Sequence, residues 1–258
     1  MTAGAGRALA RTLRRVADRA LRAGYVRGWL AERDVTAAAA ALDELCLAAE
    51  AADPECGEAL VAVVEALADP RVADDVTRLR EEAAGGALVG LSRLLRRPPP
   101  LPSRALSPAR PPDYGGSRPL TLGERKALAR RPTRAHLEKL LLDPDPMVLE
   151  ALLMNPRLTE DDVLTVAAKR PGAPALLAVI ARSGRWSVRA RVRMALALNP
   201  EVPPELGVPL VSLLSRQELR LVLEVTDACP AVRGAARELL LRRPPQLRGG
   251  PGDDEEPM

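Results

Sequence analysis

An all-helical protein is what this sequence predicts, on three observations. Proline recurs at Pro156, Pro200 and Pro244, each 44 residues after the last. Each closes a Leu/Ala-rich segment: Ala151-Leu-Leu-Met-Asn-Pro156, Ala195-Leu-Ala-Leu-Asn-Pro200 and Leu239-Leu-Leu-Arg-Arg-Pro244. A fixed period of that size marks stacked helical units, each burying its apolar face only against its neighbours. The hydrophobic fraction is 47% while aromatics make up 2% and phenylalanine does not occur, so the core is left to Leu, Val and Ala, which suits close-packed helices. Runs of β-branched and aromatic residues alternating with period two, the mark of strands, do not occur either.

Residues 120–243 read as three units of three helices. The first unit takes residues 122–130, 133–142 and 147–154, the middle one 159–170, 173–182 and 187–198, the last 203–214, 217–226 and 231–241. Leu152, Leu196 and Leu240 share one register, Val148 matches Val192, and Val188 matches Val232, each of the latter followed by arginine (Arg189, Arg233). Leu152, Val192, Leu196 and Leu240 are therefore the expected buried seam. Asp143, Ser183 and Asp227 stand five residues ahead of Val148, Val188 and Val232, and such side chains cap helix N-termini by accepting from a free backbone N–H. Pro144, Pro146 and Pro230 follow them, where a first turn tolerates a missing N–H. Each proline after asparagine ends a helix, because its ring disfavours the α conformation in the residue before it. Thr159-Glu-Asp-Asp162 and Pro203-Pro-Glu205 then start the next one.

Residues 1–96 predict five helices without the 44-residue register. Leu9, Leu13, Val16 and Ala20 mark one face of a first helix that carries basic residues as far as Arg27. An alanine-rich helix over 35–52, one over 54–68 opened by Pro54, and two more over 72–83 and 87–95 follow, with Gly85-Gly86 as a break. A bundle and a degenerate continuation of the repeats both fit this pattern. Residues 97–119, RPPPLPSRALSPARPPDYGGSRP, carry too much proline for helix and read as an extended spacer. Within it, Pro98-Pro-Pro-Leu-Pro102 also suits a polyproline II ligand for an aromatic groove. Residues 244–258 form an acidic, glycine-rich tail of disordered composition.

The segments Asp143-Pro-Asp-Pro-Met-Val148, Trp186-Ser-Val-Arg189 and Cys229-Pro-Ala-Val-Arg233, each opening an Ala/Leu-rich helix, resemble HEAT-type repeats. The Asn-Pro junctions, each followed by a short helix, resemble the bacterial leucine-rich repeat variant, a related all-helical solenoid. The resemblance covers about residues 120–243 and implies a HEAT- or armadillo-like α-solenoid, a fold used mainly as a binding surface. Two departures stand out. Leu149 occupies the place of the arginine that follows valine in the other two segments, and the cysteine-ligated iron–sulfur module of some leucine-rich repeat variant proteins has no counterpart here.

Chemistry-bearing patterns are sparse. Cys46, Cys56 and Cys229 are the three cysteines, an odd count with no Cys-x-x-Cys spacing, which argues for a reducing compartment and against a disulfide framework. No apolar stretch approaches the roughly 20 residues that span a bilayer, and the N-terminus lacks the pattern of a secretory signal, so a cytoplasmic location is expected. His136, the single histidine, stands at an arginine-rich helix start without a nucleophile and orienting acid in pattern. The carboxylates Asp143, Asp145, Asp161 and Asp162 stand at helix starts, where they offset the helix dipole. Gly85-Gly-Ala-Leu-Val-Gly90 follows no strand and precedes no Lys-Ser/Thr, so it is no phosphate loop. No catalytic, cofactor-binding or metal-binding residue is assigned, and a non-enzymatic role is expected.

Two basic features remain. Arg7, Arg11, Arg14, Arg15, Arg19, Arg22 and Arg27 face only Asp18 nearby in sequence, while residues 43–82 are strongly acidic. Such a helix either packs beside its own acidic neighbours or lies on an anionic surface, of which a membrane is one. The second feature is a patch of Arg182, Arg185, Arg189, Arg191 and Arg193 around Trp186, with no acid between. Arginine forks grip phosphates, and tryptophan at a surface is a frequent interface anchor, although it also fills seams between repeats. Only Lys126, Lys139 and Lys169 are lysines among 38 basic residues, and the net charge is +4. This imbalance points to coding bias more than to selection for phosphate. The sequence therefore leads to a scaffold or adaptor that meets a protein partner through Arg182, Arg185, Trp186, Arg189 and Arg193, with a nucleic-acid-binding module on residues 182–193 as the competing reading. Limited proteolysis is expected to cut first between residues 98 and 119 and leave two helical fragments; earlier cleavage within residues 159–198 would displace that boundary.

Overall fold

The computed structural model describes residues 4–97, 110–115, 118–225 and 227–243. Most of the proline-rich spacer, including Pro98-Pro-Pro-Leu-Pro102, and the tail from Pro244 onward lie outside the described residues. Within them every regular element is helical: α1 (Ala5–Arg15), α2 (Arg19–Ala31), α3 (Val35–Glu50), α4 (Pro54–Leu67), a 3-10 turn (Pro70–Val72), α5 (Ala73–Gly85) and α6 (Val89–Leu94). There follow α7 (Leu122–Arg130), α8 (Arg134–Leu140), α9 (Pro146–Leu153), α10 (Glu160–Ala167), α11 (Pro174–Arg182), α12 (Ala190–Leu198), α13 (Pro204–Val211), α14 (Arg216–Glu224) and α15 (Pro230–Arg242).

The expected single basic helix at the N-terminus is two. α1 stops at Val16, whose backbone turns extended, and the Val16 carbonyl accepts a 2.7 Å hydrogen bond from Arg22 Nε across the break. Alanine-rich α3 is the centre of this half and packs on α1, α4, α5 and α6, while α2 packs on α4. Its small residues let α1 approach closely: a Cβ on Gly6 would sit 2.4 Å from the Ala41 carbonyl oxygen. The arginines of α1 and α2 meet the acids of α4 and its C-terminal loop. Arg14 pairs with Glu55, Arg22 with Glu58 at 2.6 Å, and Arg27 with Asp69 at 3.5 Å. The basic helix thus faces its own acidic neighbours.

The second half is built in triplets. The first and third helices of each triplet pack together, as α7 with α9, α10 with α12 and α13 with α15, and successive triplets meet through α9 with α11 and α12 with α13. Leu152, Val192 and Leu196 are fully buried. Leu240 is half-buried and Leu239 takes the interior position, because no further triplet covers α15 among the described residues.

The predicted caps are displaced. Asp145, not Asp143, caps α9 by accepting from Met147 N at 2.9 Å. Asp143 is buried, paired with Arg125 at 2.6 Å and bonded by the Tyr114 hydroxyl at 2.7 Å. That bond docks the end of the spacer onto the first triplet and, with burial as the larger cause, raises the Tyr114 pKa. Ser183 ends α11, its carbonyl accepting from Trp186 N and Ser187 N, and Asp227 pairs with Arg170 at 2.5 Å. The reason is length. Two non-helical residues follow Asp143 and a run of turns follows Ser183, so neither side chain stands next to the helix it was expected to cap: α9 starts at Pro146 and α12 only at Ala190.

The 44-residue register is carried by one repeated side-chain contact. Asn155 Nδ2 donates to the carbonyls of Ala129 and Arg130 at 3.3 and 3.0 Å, and its Oδ1 accepts from Arg157 N at 2.9 Å. Asn199 does the same with Ala167, Lys169 and Glu201, at 2.8, 3.2 and 3.1 Å. Arg243, one period further, donates to Ser212 O at 2.5 Å and to Leu214 O. In each triplet a residue one or two places past the third helix therefore holds carbonyls at or just beyond the C-terminal end of the first, where a helix end leaves such groups unpaired.

The two halves share one contiguous apolar cluster that runs from Leu9 to Leu239. Arg96, just past α6, makes a forked pair with Glu238 of α15 at 2.7 and 2.8 Å. Replacing Leu196 by Ala is expected to cost about 2–5 kcal/mol. Asn199→Ala, which strands two carbonyls and one N–H, is expected to cost about 1–3 kcal/mol in urea unfolding; wild-type stability in Asn199→Ala would remove the staple from this account.

Candidate functional site: the arginine–tryptophan seam

The loop from α11 to α12 delivers the patch singled out in the sequence, and it turns the indole inward. Trp186 is 1% exposed, and its Nε1 donates to Leu153 O at 3.0 Å, one of the last carbonyls of α9. The guanidinium carbons of Arg185 and Arg189 stand 4.5 and 5.0 Å from the ring centre, within cation–π range. Arg185 Nη1 also donates to Asn155 O at 2.8 Å. Trp186 and Arg185 thus bind the middle triplet to the end of the first, next to the asparagine staple.

The acids absent from the local sequence arrive from α10. Glu160 meets Arg189 at 3.0 Å and Asp161 meets Arg191 at 2.9 Å, while Asp162 closes a capping box with Thr159. Arg193 turns elsewhere: its Nη1 donates to Val188 O at 2.8 Å, and its side chain lines a cleft toward α4. Arg182 is exposed on the last turn of α11. Of the five residues named from the sequence, the fold joins Arg185, Trp186 and Arg189, directs Arg193 to the cleft and leaves Arg182 at the surface. Arg191, ion-paired outside, completes the ridge.

Other chemistry-bearing groups serve structure. His136 N donates to Thr133 Oγ1 at 3.3 Å in the cap of α8, and its Nδ1 lies 3.0 Å from the same hydroxyl. The three cysteines are buried and unpaired. Burial raises the Cys46 thiol strongly and the Cys56 thiol to about 11, so both are protonated at neutral pH and neither is an activated thiolate. Among the described residues no group of three or more His, Cys, Asp or Glu side chains is placed to hold a metal ion, and no helix is long and apolar enough to cross a membrane.

One surface feature was not singled out from the sequence. Met147 and Met154, seven residues apart and therefore on one face of α9, are both exposed, Met154 at 76%, and Leu142 precedes them at 55%. The i, i+7 methionine spacing was the available signal. It reads as core until the packing shows that α9 turns its other faces to α7, α8 and α11. Comparison of the chain with family models, with curated proteins and with solved structures finds no significant match.

Trp186→Ala is expected to lower stability by about 3–5 kcal/mol, as for a large buried aromatic. Trp186→Phe, which keeps a ring but loses the indole N–H bond to the Leu153 carbonyl, should cost less. Unfolding curves identical to wild type for Trp186→Ala would place the indole outside the seam.

Proposed function

We propose that the chain is a HEAT-like helical-repeat scaffold, an α-solenoid over residues 120–243 joined by the proline-rich spacer to the N-terminal helices, that binds a protein partner in the cytoplasm and carries out no chemistry of its own. The observation that carries this reading is the repetition of one contact, Asn155, Asn199 and Arg243 at a 44-residue interval, each tying the third helix of a triplet to the first. Stacked units of that kind generate extended surfaces. The surface favoured here is the outer face of α9, where Met147 and Met154 stand exposed and Arg185 borders Met154 through its bonds to the carbonyls on either side. Methionine adapts to irregular partner surfaces, and a basic rim selects an apolar segment flanked by acids.

The nucleic-acid reading loses support from the same geometry. Arg189 and Arg191 are neutralised by Glu160 and Asp161, and Arg185 is spent on main-chain carbonyls. A phosphate backbone would have to displace those partners.

Replacing both Met147 and Met154 by Glu is expected to leave the melting temperature within a degree or two, since both side chains are exposed, and to abolish capture of the partner from native cell extract. Replacing Arg185 and Arg189 by Ser should weaken capture only mildly, as rim charges do. Undiminished capture by the methionine variant would move the interface away from α9. Steeply salt-dependent retention of the wild type on DNA, lost in the arginine variant, would replace the scaffold reading with the nucleic-acid one.

A further inference from the structure

Between the N-terminal helices and the last triplet lies a cleft of about 380 Å³, inside the roughly 300–1,000 Å³ range of small-molecule sites. Leu60 and Val61 of α4 form one apolar wall and Leu213, after α13, belongs to the other. The polar lining is dominated by three guanidiniums from separate elements, Arg193, Arg216 and Arg243.

Arg216 and Arg243 are held in place by uncharged groups. Arg216 Nη1 donates to Leu240 O and Arg243 O at 2.7 and 2.5 Å. Arg243 in turn donates to Ser212 O at 2.5 Å and to Leu214 O. These bonds fix both side chains without neutralising them. The Nε–H groups of Arg216 and Arg243 are buried with no hydrogen-bond partner. Two carboxylates also line the cleft, and both are occupied by helix caps. Asp53 accepts from Glu55 N and Cys56 N at 3.0 and 3.1 Å, with Arg7 3.9 Å away, and Glu218 accepts from Ser215 N at 2.7 Å. Burial lowers the Arg243 pKa despite the nearby charges of Glu50 and Glu218, as expected where desolvation outweighs compensation.

Fixed, partly desolvated guanidiniums with spare donors are the chemistry that receives an oxyanion, since charge-assisted bonds to phosphate are short and strong. We infer that this cleft binds a small phosphate-type oxyanion, either free phosphate or the phosphate head of a small phosphomonoester, with Arg216 and Arg243 as its ligands and Arg193 at the rim. The α14 N-terminus, which opens at Ser215 beside the two arginines, adds its positive dipole end. The apolar wall of Leu60, Val61 and Leu213 is where the organic part of a phosphomonoester would rest. The site is independent of the scaffold reading, because it uses neither α9 nor the Trp186 seam.

The test uses the full chain, with inorganic phosphate and phenyl phosphate titrated at matched ionic strength against chloride. Calorimetry should show saturable binding of phosphate, and the melting temperature should rise with it. Tighter binding of phenyl phosphate would assign an organic source and equal affinity free phosphate, and either supports the site. Arg216→Gln should weaken binding roughly ten- to a hundredfold, the equivalent of one charged hydrogen bond. Because Arg216 also clamps the α15 carbonyls, Gly57→Glu provides the second arm. Gly57 lines the cleft, and a Cβ there would meet nothing within 4 Å. An acid near the start of α4 is compatible with the helix, so this variant should fold as stably as wild type. It should lose the phosphate-dependent rise in melting temperature, its own carboxylate having taken the anion's place. No rise beyond chloride in the wild type, or undiminished phosphate binding by folded Gly57→Glu, would overturn the inference.

Discussion

The second half of this molecule depends on how it closes helix ends. Short helices leave a large share of their carbonyls unpaired, and α8, α9, α10 and α13 run only seven or eight residues. Asn155, Asn199 and Arg243 answer that need at one register, each reaching from the end of a third helix to the end of a first. The asparagines do two tasks at once. Nδ2 holds carbonyls of the earlier helix, and Oδ1 takes the N–H two residues on, shaping the turn into the next triplet. The proline behind each one ends the helix so that the side chain is free to do this. Position, spacing and the choice of Asn-Pro are thus one constraint.

Arginine supplies the same service where asparagine does not reach. Arg22 bonds the Val16 carbonyl, Arg80 the Leu95 carbonyl, Arg170 the Leu198 carbonyl, Arg185 the Asn155 carbonyl and Arg216 the Leu240 carbonyl. All of these acceptors lie at helix ends or just beyond them, where a cation also meets the negative pole of the dipole. A preponderance of arginine over lysine therefore has a structural use here, whatever its origin in the coding sequence. A planar fork holds main-chain carbonyls at fixed positions, which a flexible ammonium does less well. These five guanidiniums are engaged by the protein's own main chain, and that engagement weighs against counting them toward a footprint for nucleic acid.

Some arginines pair with carboxylates close in sequence, as Arg71 with Asp69, Arg78 with Asp75 and Arg118 with Glu124, but those of the two basic features meet acids from far along the chain. Glu160 and Asp161 neutralise Arg189 and Arg191 across the junction of α10 and α12. Glu55, Glu58 and Asp69 do so for the arginines of α1 and α2. Such pairs between exposed side chains add little stability individually. Their effect here is to cancel a local positive potential that the linear sequence suggested was free. The cleft lined by Arg216 and Arg243 differs because its carboxylates are already spent on helix caps.

Composition and the 44-residue period were enough to establish the helical class, the three-by-three helix pattern of residues 120–243, and the helix start at Thr159, where the structure closes a capping box with Asp162. These follow from local rules, because helix periodicity, proline stops and capping act within a few residues. Tertiary structure alone decided the rest. It split the first basic helix at Val16, moved the cap of α9 from Asp143 to Asp145 and buried Asp143 against Arg125 and Tyr114. It also placed Trp186 in a seam instead of on a surface and exposed Met147 and Met154. Each of those outcomes depends on which helix lies opposite, and a burial or an ion pair between residues about 30 apart leaves no mark in the local pattern. The seam shows the difference most plainly: Trp186 and its arginines were visible as a cluster in the chain, but the Leu153 carbonyl that draws the indole inward belongs to a helix that only folding brings alongside.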